Sequence, residues 1–304
     1  MEEVAAIEVE ELVREVSDLA ALPTAYVRIR ELVADPDSSM ADVAQVITND
    51  PALTTRILRI ANSAYMGLVT KVDTIQRAVQ VLGMNQVHHL ALATSAIGAL
   101  NKIQNPVLDM LDFWRRSIYA AVFARIVAND IGFKPAERLF VCGLLHDIGH
   151  LVLAARLPKV LQPLMEQAVL TQRPLAELER ELLGFDYADV GAALMRRWQL
   201  PDPLLAPVAL HTRPAADADR EALQGGSIIH LAAVISRATM WRDNNDEAAP
   251  EISPVALQST GLTNLEVEGF LSAADEQVVE AYELLLPRAG KKAEQTAAPR
   301  AAAG

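Results

Sequence analysis

The chain has little of what marks several large classes of protein. Only one of its 304 residues is a cysteine, so it can form neither an intrachain disulfide nor a zinc cluster of several thiolates. Aromatic residues make up 5% of the chain although hydrophobic residues make up 51%. Alanine, leucine and valine therefore carry most of the apolar load, as is typical of packed helices.

Positive charge is scarce as well. Lys and Arg together number 27 against 39 Asp and Glu, which gives a formal net charge of -12. Such a chain repels phosphate backbones, and its basic residues are dispersed, so we expect no direct binding of nucleic acid. No secretory signal opens the sequence, and no uninterrupted apolar run reaches the ~18 residues of a membrane helix. We therefore expect a cytoplasmic protein that does not bind a membrane.

Apolar residues recur at helical spacing along nearly the whole chain, and no convincing alternating strand is present. Asp50, followed by Pro51, predicts the start of one helix. Further along, the pattern predicts one helix over 136–154, a polar loop over 242–254 and a last helix over 263–286. The predicted fold class is all-α.

The chain is expected to divide at a seam near residues 101–107, which contain an Asn-Pro pair. Residues 1–103 would form an N-terminal helical lobe and residues 104–241 a second helical lobe. Residues 242–287 would form a loop and a helix that pack on the core. The segment 288–304 has low complexity and is expected to be a disordered tail.

Several ordered stretches of the chain resemble the HDOD family, the HD-related output domains. The first lobe contains DPALTTRILRIANSA and AVQVLG, and the second contains FWRRSIYAA, ERLFVCGLLHDIGHLVL and LLGFDYADVGAALMRRWQLP. The resemblance covers roughly residues 19–213 and continues weakly to about 240. It implies two helical lobes, the second an HD-like helical bundle, and a role in bacterial signal transduction.

The resemblance also implies where a metal site would lie. Catalytic relatives of this fold hold a metal with an early His, the His-Asp pair, further His residues and a late Asp. His146 and Asp147 match the pair, and His211 matches the first of two adjacent later histidines, the second being replaced by Thr212. The other ligand positions are substituted, by Arg116, Tyr187 and Ala233.

These substitutions predict a degenerate site with no catalytic residue, no metal and no cofactor. Because a guanidinium is permanently charged and cannot bind a cation, we hypothesise that Arg116 takes the metal's place and pairs with Asp147. If a metal is bound after all, His230 would complete a rearranged site with His146, Asp147 and His211.

Three further histidines receive structural interpretations. Gly149 is expected to end its helix, which would leave His150 exposed at the helix end. His88 and His89 are adjacent on another helix and are interpreted as surface or groove residues.

The sequence thus predicts a non-catalytic signal-transduction module that binds a regulatory protein partner in trans, or a small ligand, in the groove between its lobes. One alternative is a metal-dependent phosphohydrolase or phosphodiesterase of the HD type, acting on a nucleotide or cyclic dinucleotide through a metal-activated water. A second alternative is a nucleotide sensor that binds its ligand without hydrolysing it.

Overall fold

The computed structural model describes residues 7–63, 66, 70–240 and 251–286. These residues form helices and no strand, so the all-α prediction is confirmed. The helices are α1 (Val9–Ser17), α2 (Thr24–Ala34), α3 (Met40–Thr48), α4 (Pro51–Ala61), α5 (Ile75–Leu82), α6 (Met84–Leu100), α7 (Met110–Asp130), α8 (Ala136–Leu145), α9 (Ile148–Arg156), α10 (Pro158–Thr171), α11 (Leu175–Leu183), α12 (Tyr187–Arg197), α13 (Asp202–Leu210), α14 (Arg220–Met240), α15 (Pro254–Thr260), α16 (Asn264–Gly269) and α17 (Leu271–Leu285).

Local side chains fix several helix ends at the predicted places. The Asp50 carboxylate accepts hydrogen bonds from the backbone N–H groups of Ala52 and Leu53, both at 3.0 Å, and Pro51 follows it in the first turn. This cap satisfies two of the donors that a helix start leaves unpaired. The Asp50-Pro51 pair in the sequence therefore predicted the start of α4 correctly.

Helices α2 to α6 pack on one another as the first lobe, and α7 to α14 form the second lobe around α7. Helix α1 precedes the first lobe in sequence but packs against α9 and α12 of the second lobe. There Glu15 forms an ion pair with Arg156, and the Ala20 carbonyl accepts a hydrogen bond from the Trp198 indole at 3.0 Å. Helix α1 therefore packs as part of the second lobe, and the chain passes from it into α2 of the first lobe.

The C-terminal helices differ from their prediction. The expected last helix over 263–286 is two helices, α16 and α17, which meet at Phe270. Residues 242–250 of the expected loop lie outside the described residues, and α15 begins at Pro254, where the loop was expected to end. The expected tail over 288–304 also lies outside them.

Helix α17 contacts both lobes. Its Glu283 carbonyl accepts a hydrogen bond from Arg59 of α4 at 2.8 Å. Its Asp275 carboxylate accepts a hydrogen bond from the Tyr119 hydroxyl of α7 at 3.0 Å. This helix thus links the two lobes, in addition to their direct contact between α6 and α8.

One segment, Ala136–Arg156, is long and apolar enough to cross a membrane by length and composition, with a mean hydropathy of 1.4. It comprises α8 and α9, and 89% of its apolar window is buried inside the fold. Core helices pass the same test, so this segment is a weak indication of a membrane span.

Candidate functional site at the His-Asp pair

The His-Asp pair lies where the chain breaks between α8 and α9. Asp147 has φ -96° and ψ 2°, in the sparsely populated bridge region, so the helix predicted over 136–154 is two helices. Both His146 and Asp147 are 1% exposed. The break turns the two side chains into the interior of the second lobe.

The expectation that Gly149 ends a helix is wrong, because Gly149 lies in the first turn of α9. A Cβ atom at this position would lie 1.8 Å from the Tyr187 carbonyl oxygen and 2.8 Å from the Gly191 nitrogen. The glycine is therefore required by the close approach of α9 to α12. The same approach buries His150, which is 6% exposed rather than exposed at a helix end.

The cation beside Asp147 is Arg237 of α14. Arg237 Nη2 lies 3.3 Å from Asp147 Oδ1, while His146 Nε2 and His150 Nδ1 lie 3.7 Å and 3.2 Å from the same oxygen. Among the described residues, which include both Arg116 and Asp147, no ion pair joins these two. The hypothesis that Arg116 pairs with Asp147 is therefore wrong, because Arg237 does so. A guanidinium does pair with Asp147, but it comes from a different helix.

Arg237 was missed by the sequence reasoning, although a signal was present. It follows Ala233, the position of the lost late Asp, by four residues on α14, so the two share a helix face. A cation one turn beyond a lost carboxylate ligand indicates that the guanidinium points to the same place.

Tyr187 and His211 extend this network. The Nδ1 atom of His211 lies 2.6 Å from the Val208 carbonyl oxygen and must carry the proton, so its Nε2 accepts from the Tyr187 hydroxyl at 3.2 Å. Arg237 donates to the same hydroxyl at 3.2 Å. The rings of His146 and His211 meet edge to face, 5.3 Å apart. Tyr187 therefore occupies the site as a hydrogen-bonded structural residue.

Burial sets the charges of this cluster. Desolvation lowers the pKa of His146 and holds the pKa of His211 well below its ordinary value, so both rings are neutral at neutral pH. Burial alone would raise the pKa of Asp147, but its polar neighbours His146, Arg237 and His150 outweigh it and hold that pKa well below the usual range. We attribute the ionised state mainly to Arg237, whose charge is permanent.

His150 lies between two buried carboxylates. Its Nδ1 faces Asp147, and its Nε2 lies 3.6 Å from Oε1 of Glu179, which is 0% exposed. Glu179 also accepts a hydrogen bond from the Tyr187 backbone N–H at 2.8 Å, and the rings of His150 and Tyr187 stack 3.7 Å apart. Sequence reasoning missed Glu179, which lies in α11, outside the motifs.

His230 does not join the other candidate ligands. Its Nδ1 lies 2.7 Å from the His211 carbonyl oxygen, and its Nε2 accepts from the Ser253 backbone N–H at 3.0 Å. Both ring nitrogens are thus taken by backbone groups. The rearranged metal site of His146, Asp147, His211 and His230 does not form.

Two cavities flank Arg237. One, of about 300 Å³, is lined by Arg116, His150 and Arg237 with apolar side chains of α10. The other, of about 450 Å³, is lined by Tyr187, His211 and Arg237 among others. Arg116 thus faces a cavity beside the site instead of Asp147.

The HDOD domain family model matches residues 19–214, more than half of the chain. The chain belongs to the HDOD domain family. In this HDOD protein the matched region contains the break at the His-Asp pair, while Ala233 and Arg237 of α14 lie beyond it.

Known proteins similar to this HDOD chain include a sequence relative and several solved structures. An uncharacterised protein of Treponema pallidum (strain Nichols) is 27% identical over 197 residues, which are 64% of this chain and 38% of that relative, so the chain spans well under half of its length. A crystal structure of a protein of Shewanella amazonensis SB2B, provisionally named a phosphohydrolase, is 28% identical with a TM-score of 0.69, covering 90% of this chain and 97% of that one. An HDOD domain protein of unknown function from Geobacter sulfurreducens has a TM-score of 0.70 at 23% identity, covering 91% and 98%.

The residues of this HDOD site do not fit a divalent metal. His146 Nε2 is buried without a hydrogen-bond partner and could bind one, but His211 Nε2 is used by a hydroxyl. Within the part of the chain that the structure describes, no group of three or more His, Cys, Asp or Glu residues is arranged to hold an ion. The permanent charge of Arg237, 3.3 Å from the carboxylate, would also repel a second cation.

Replacing Tyr187 with Phe tests the structural role of its hydroxyl. The variant leaves His211 Nε2 buried without a partner, which costs about 1–3 kcal/mol. We therefore expect a lower free energy of unfolding in urea titrations. Tyr282→Phe serves as the control, because that hydroxyl donates to the Arg115 carbonyl at a partly exposed site. Equal stabilities of the two variants would contradict this role.

Proposed function

We propose that this HDOD protein is a non-catalytic signal-transduction module of the bacterial cytoplasm that binds a regulatory protein partner in trans. The observation that carries the proposal is the Arg237 guanidinium on Asp147, where an HD hydrolase would need a metal. Hydrolysis of this type depends on a metal-activated water. A site held by a permanent cation favours a binding role over turnover.

The groove between the lobes is the proposed binding surface. It lies where α2 and α6 of the first lobe face α8 and residues 199–204 of the second, and it contains a cavity of about 600 Å³. Concave surfaces between packed units are common binding sites. No strong patch of positive charge was found along the sequence, so the proposal includes neither nucleic acid nor a membrane as partner.

Metal content tests this proposal. Purified protein incubated with Mn²⁺, Fe²⁺ or Zn²⁺ and then desalted should retain substoichiometric metal by elemental analysis, and should not hydrolyse bis(4-nitrophenyl) phosphate. The reason is the repulsion between Arg237 and any ion at Asp147. The matched control is His146→Ala, which removes a buried ring nitrogen of the His-Asp pair that has no hydrogen-bond partner. Stoichiometric metal that this variant loses, with turnover that it also loses, would establish the phosphohydrolase alternative instead.

The hydrolase alternative is supported by the 28% identity to the provisionally named phosphohydrolase of Shewanella amazonensis. The sensor alternative is supported by the basic residues that line the groove cavity. Binding of a nucleotide without its hydrolysis would distinguish the sensor from the hydrolase.

A further inference from the structure

The cavity between the lobes is lined by basic residues from both lobes. Arg30 of α2 comes from the first lobe and Arg138 of α8 from the second. His88 and His89 of α6 also line the cavity, but burial lowers the pKa of each to about 4, so their rings are neutral. Its volume, about 600 Å³, lies in the range of sites for small molecules. The cavity is separate from the two that flank Arg237.

The charge of this cavity is opposite to that of the protein. Among the described residues that line it, Arg138 pairs with Glu221, and the carboxylate of Glu31 pairs with Arg28 at 2.9 Å. The hydrogen-bond partners of Arg30 are neutral, a carbonyl and an amide, so its positive charge stays uncompensated. The whole chain carries a net charge of -12. A cleft of one charge sign focuses the field inside it and attracts the opposite charge. This cleft therefore favours an anion.

Two buried polar atoms of lining residues have no hydrogen-bond partner. They are Nδ1 of His89 and Nε of Arg138. Most buried polar atoms in proteins are paired, and the exceptions often mark the place of a water or ligand. His88, by contrast, is satisfied by the Tyr26 hydroxyl, 3.0 Å from its Nε2. The unused hydrogen-bonding capacity thus lies on one lining residue from each lobe.

Both guanidiniums are held in place before any ligand arrives. Arg30 crosses to the second lobe and donates to the Trp198 carbonyl and, at 2.7 Å, to the Gln199 side chain. Arg138 pairs with Glu221 at 2.6 Å and lies over the Phe133 ring. Fixed donors lose little entropy on binding. A ligand held by Arg30 and Arg138 would contact both lobes at once.

We propose that this cavity binds a small organic phosphate with a flat apolar body, of the size of a nucleoside monophosphate. Guanidiniums match phosphate oxygens with paired hydrogen bonds. The remaining walls include apolar side chains, Val33, Pro201 and Leu204 among them, against which a flat body would pack. The statement that this ligand regulates partner binding in the groove rests on the proposed function. The binding of the ligand itself does not depend on the proposed function.

Calorimetric titration of the full chain with AMP tests the inference, with adenosine and inorganic phosphate as parallel arms. AMP should bind saturably at one site, and each fragment much more weakly. Arg30→Gln should weaken AMP binding by about tenfold or more, because a hydrogen bond to a charged group is lost. The matched control is Arg14→Gln on α1, an exposed arginine that pairs with Glu11, neither of them among the lining residues; it should leave binding unchanged.

His89→Leu guards against a variant that merely fails to fold. It removes a buried polar atom without a partner, so its Tm should not fall, while AMP binding weakens by about tenfold. Absence of AMP binding, or equal binding of adenosine or of inorganic phosphate, would overturn the inference and leave the proposed function standing. Release of phosphate from AMP, followed by ³¹P NMR, would instead overturn the non-catalytic proposal.

Discussion

Replacing Arg237 with Met should destabilise the protein by about 3–5 kcal/mol at neutral pH, because it leaves the Asp147 carboxylate buried without its permanent countercharge. Asp147 is 1% exposed and the Arg237 side chain 10%, so solvent can replace little of the lost attraction. Urea denaturation followed by circular dichroism measures the loss. Arg116→Met, which removes a guanidinium beside the same site but not from Asp147, should cost less.

The pH dependence of this loss has a definite sign. The folded pKa of Asp147 is held below its unfolded value of about 3.9, so the pair contributes its full stability above that value and loses it as the pH falls through the folded pKa. In Arg237→Met, burial raises the pKa of Asp147 instead. The deficit relative to wild type should therefore be largest at neutral pH and shrink as the pH falls from the raised pKa of the variant to the folded pKa of wild type, well below its usual range.

The double variant Arg237→Met with Asp147→Asn provides the check on this account. Removing both charges should recover a large part of the stability, since buried ion pairs contribute little beyond compensating each other. A double variant that is as unstable as the sum of its single changes would show that the two residues do not act as a pair.

Gly149→Ala should be the second severe change, with a loss of about 3 kcal/mol or more. The added Cβ would meet the Tyr187 carbonyl oxygen at 1.8 Å, and backbone atoms cannot move aside as a flexible side chain can. Helices α9 and α12 would have to separate, which would also disturb the hydrogen bond between Glu179 and the Tyr187 N–H. Urea denaturation provides the measurement.

Gly98→Ala is the matched control within a helix. Its Cβ would meet no atom nearer than Arg56 Nη1 at 3.7 Å, an ordinary contact. Alanine favours a helix over glycine by up to about 1 kcal/mol, so this variant should be as stable as wild type or slightly more stable. Similar losses at both glycines would show that the close approach of α9 and α12 is not what selects glycine at position 149.

Features that depend on neighbouring residues in the chain could be predicted from sequence. The start of α4 at Asp50 and Pro51 is one, since its hydrogen bonds connect residues three apart or fewer. The break at Asp147 could not, because the apolar residues from Ala136 to Ala154 keep a helical spacing on both sides of the His-Asp pair. There the backbone conformation is set by buried partners that come from α11, α12 and α14.

The candidate site shows the same division. Matching motifs located His146, Asp147 and His211, and the structure brings these three together. The motif match by itself could not decide which guanidinium reaches Asp147, because that depends on how α7 and α14 are rotated against each other. The spacing of four residues between Ala233 and Arg237 was the local signal for Arg237. Arg116 and Arg237 lie on those two helices and line the same cavity, and only Arg237 reaches the carboxylate.

The position of α1 on the second lobe has a mechanical consequence. The first lobe is covalently tethered to the second at both of its ends, through residues 18–23 and 101–109. Two such tethers act as hinges. They allow rotation of the first lobe about the line that joins them, and they oppose twisting or sliding of one lobe against the other. Any motion of the first lobe would then open or narrow the groove along one direction.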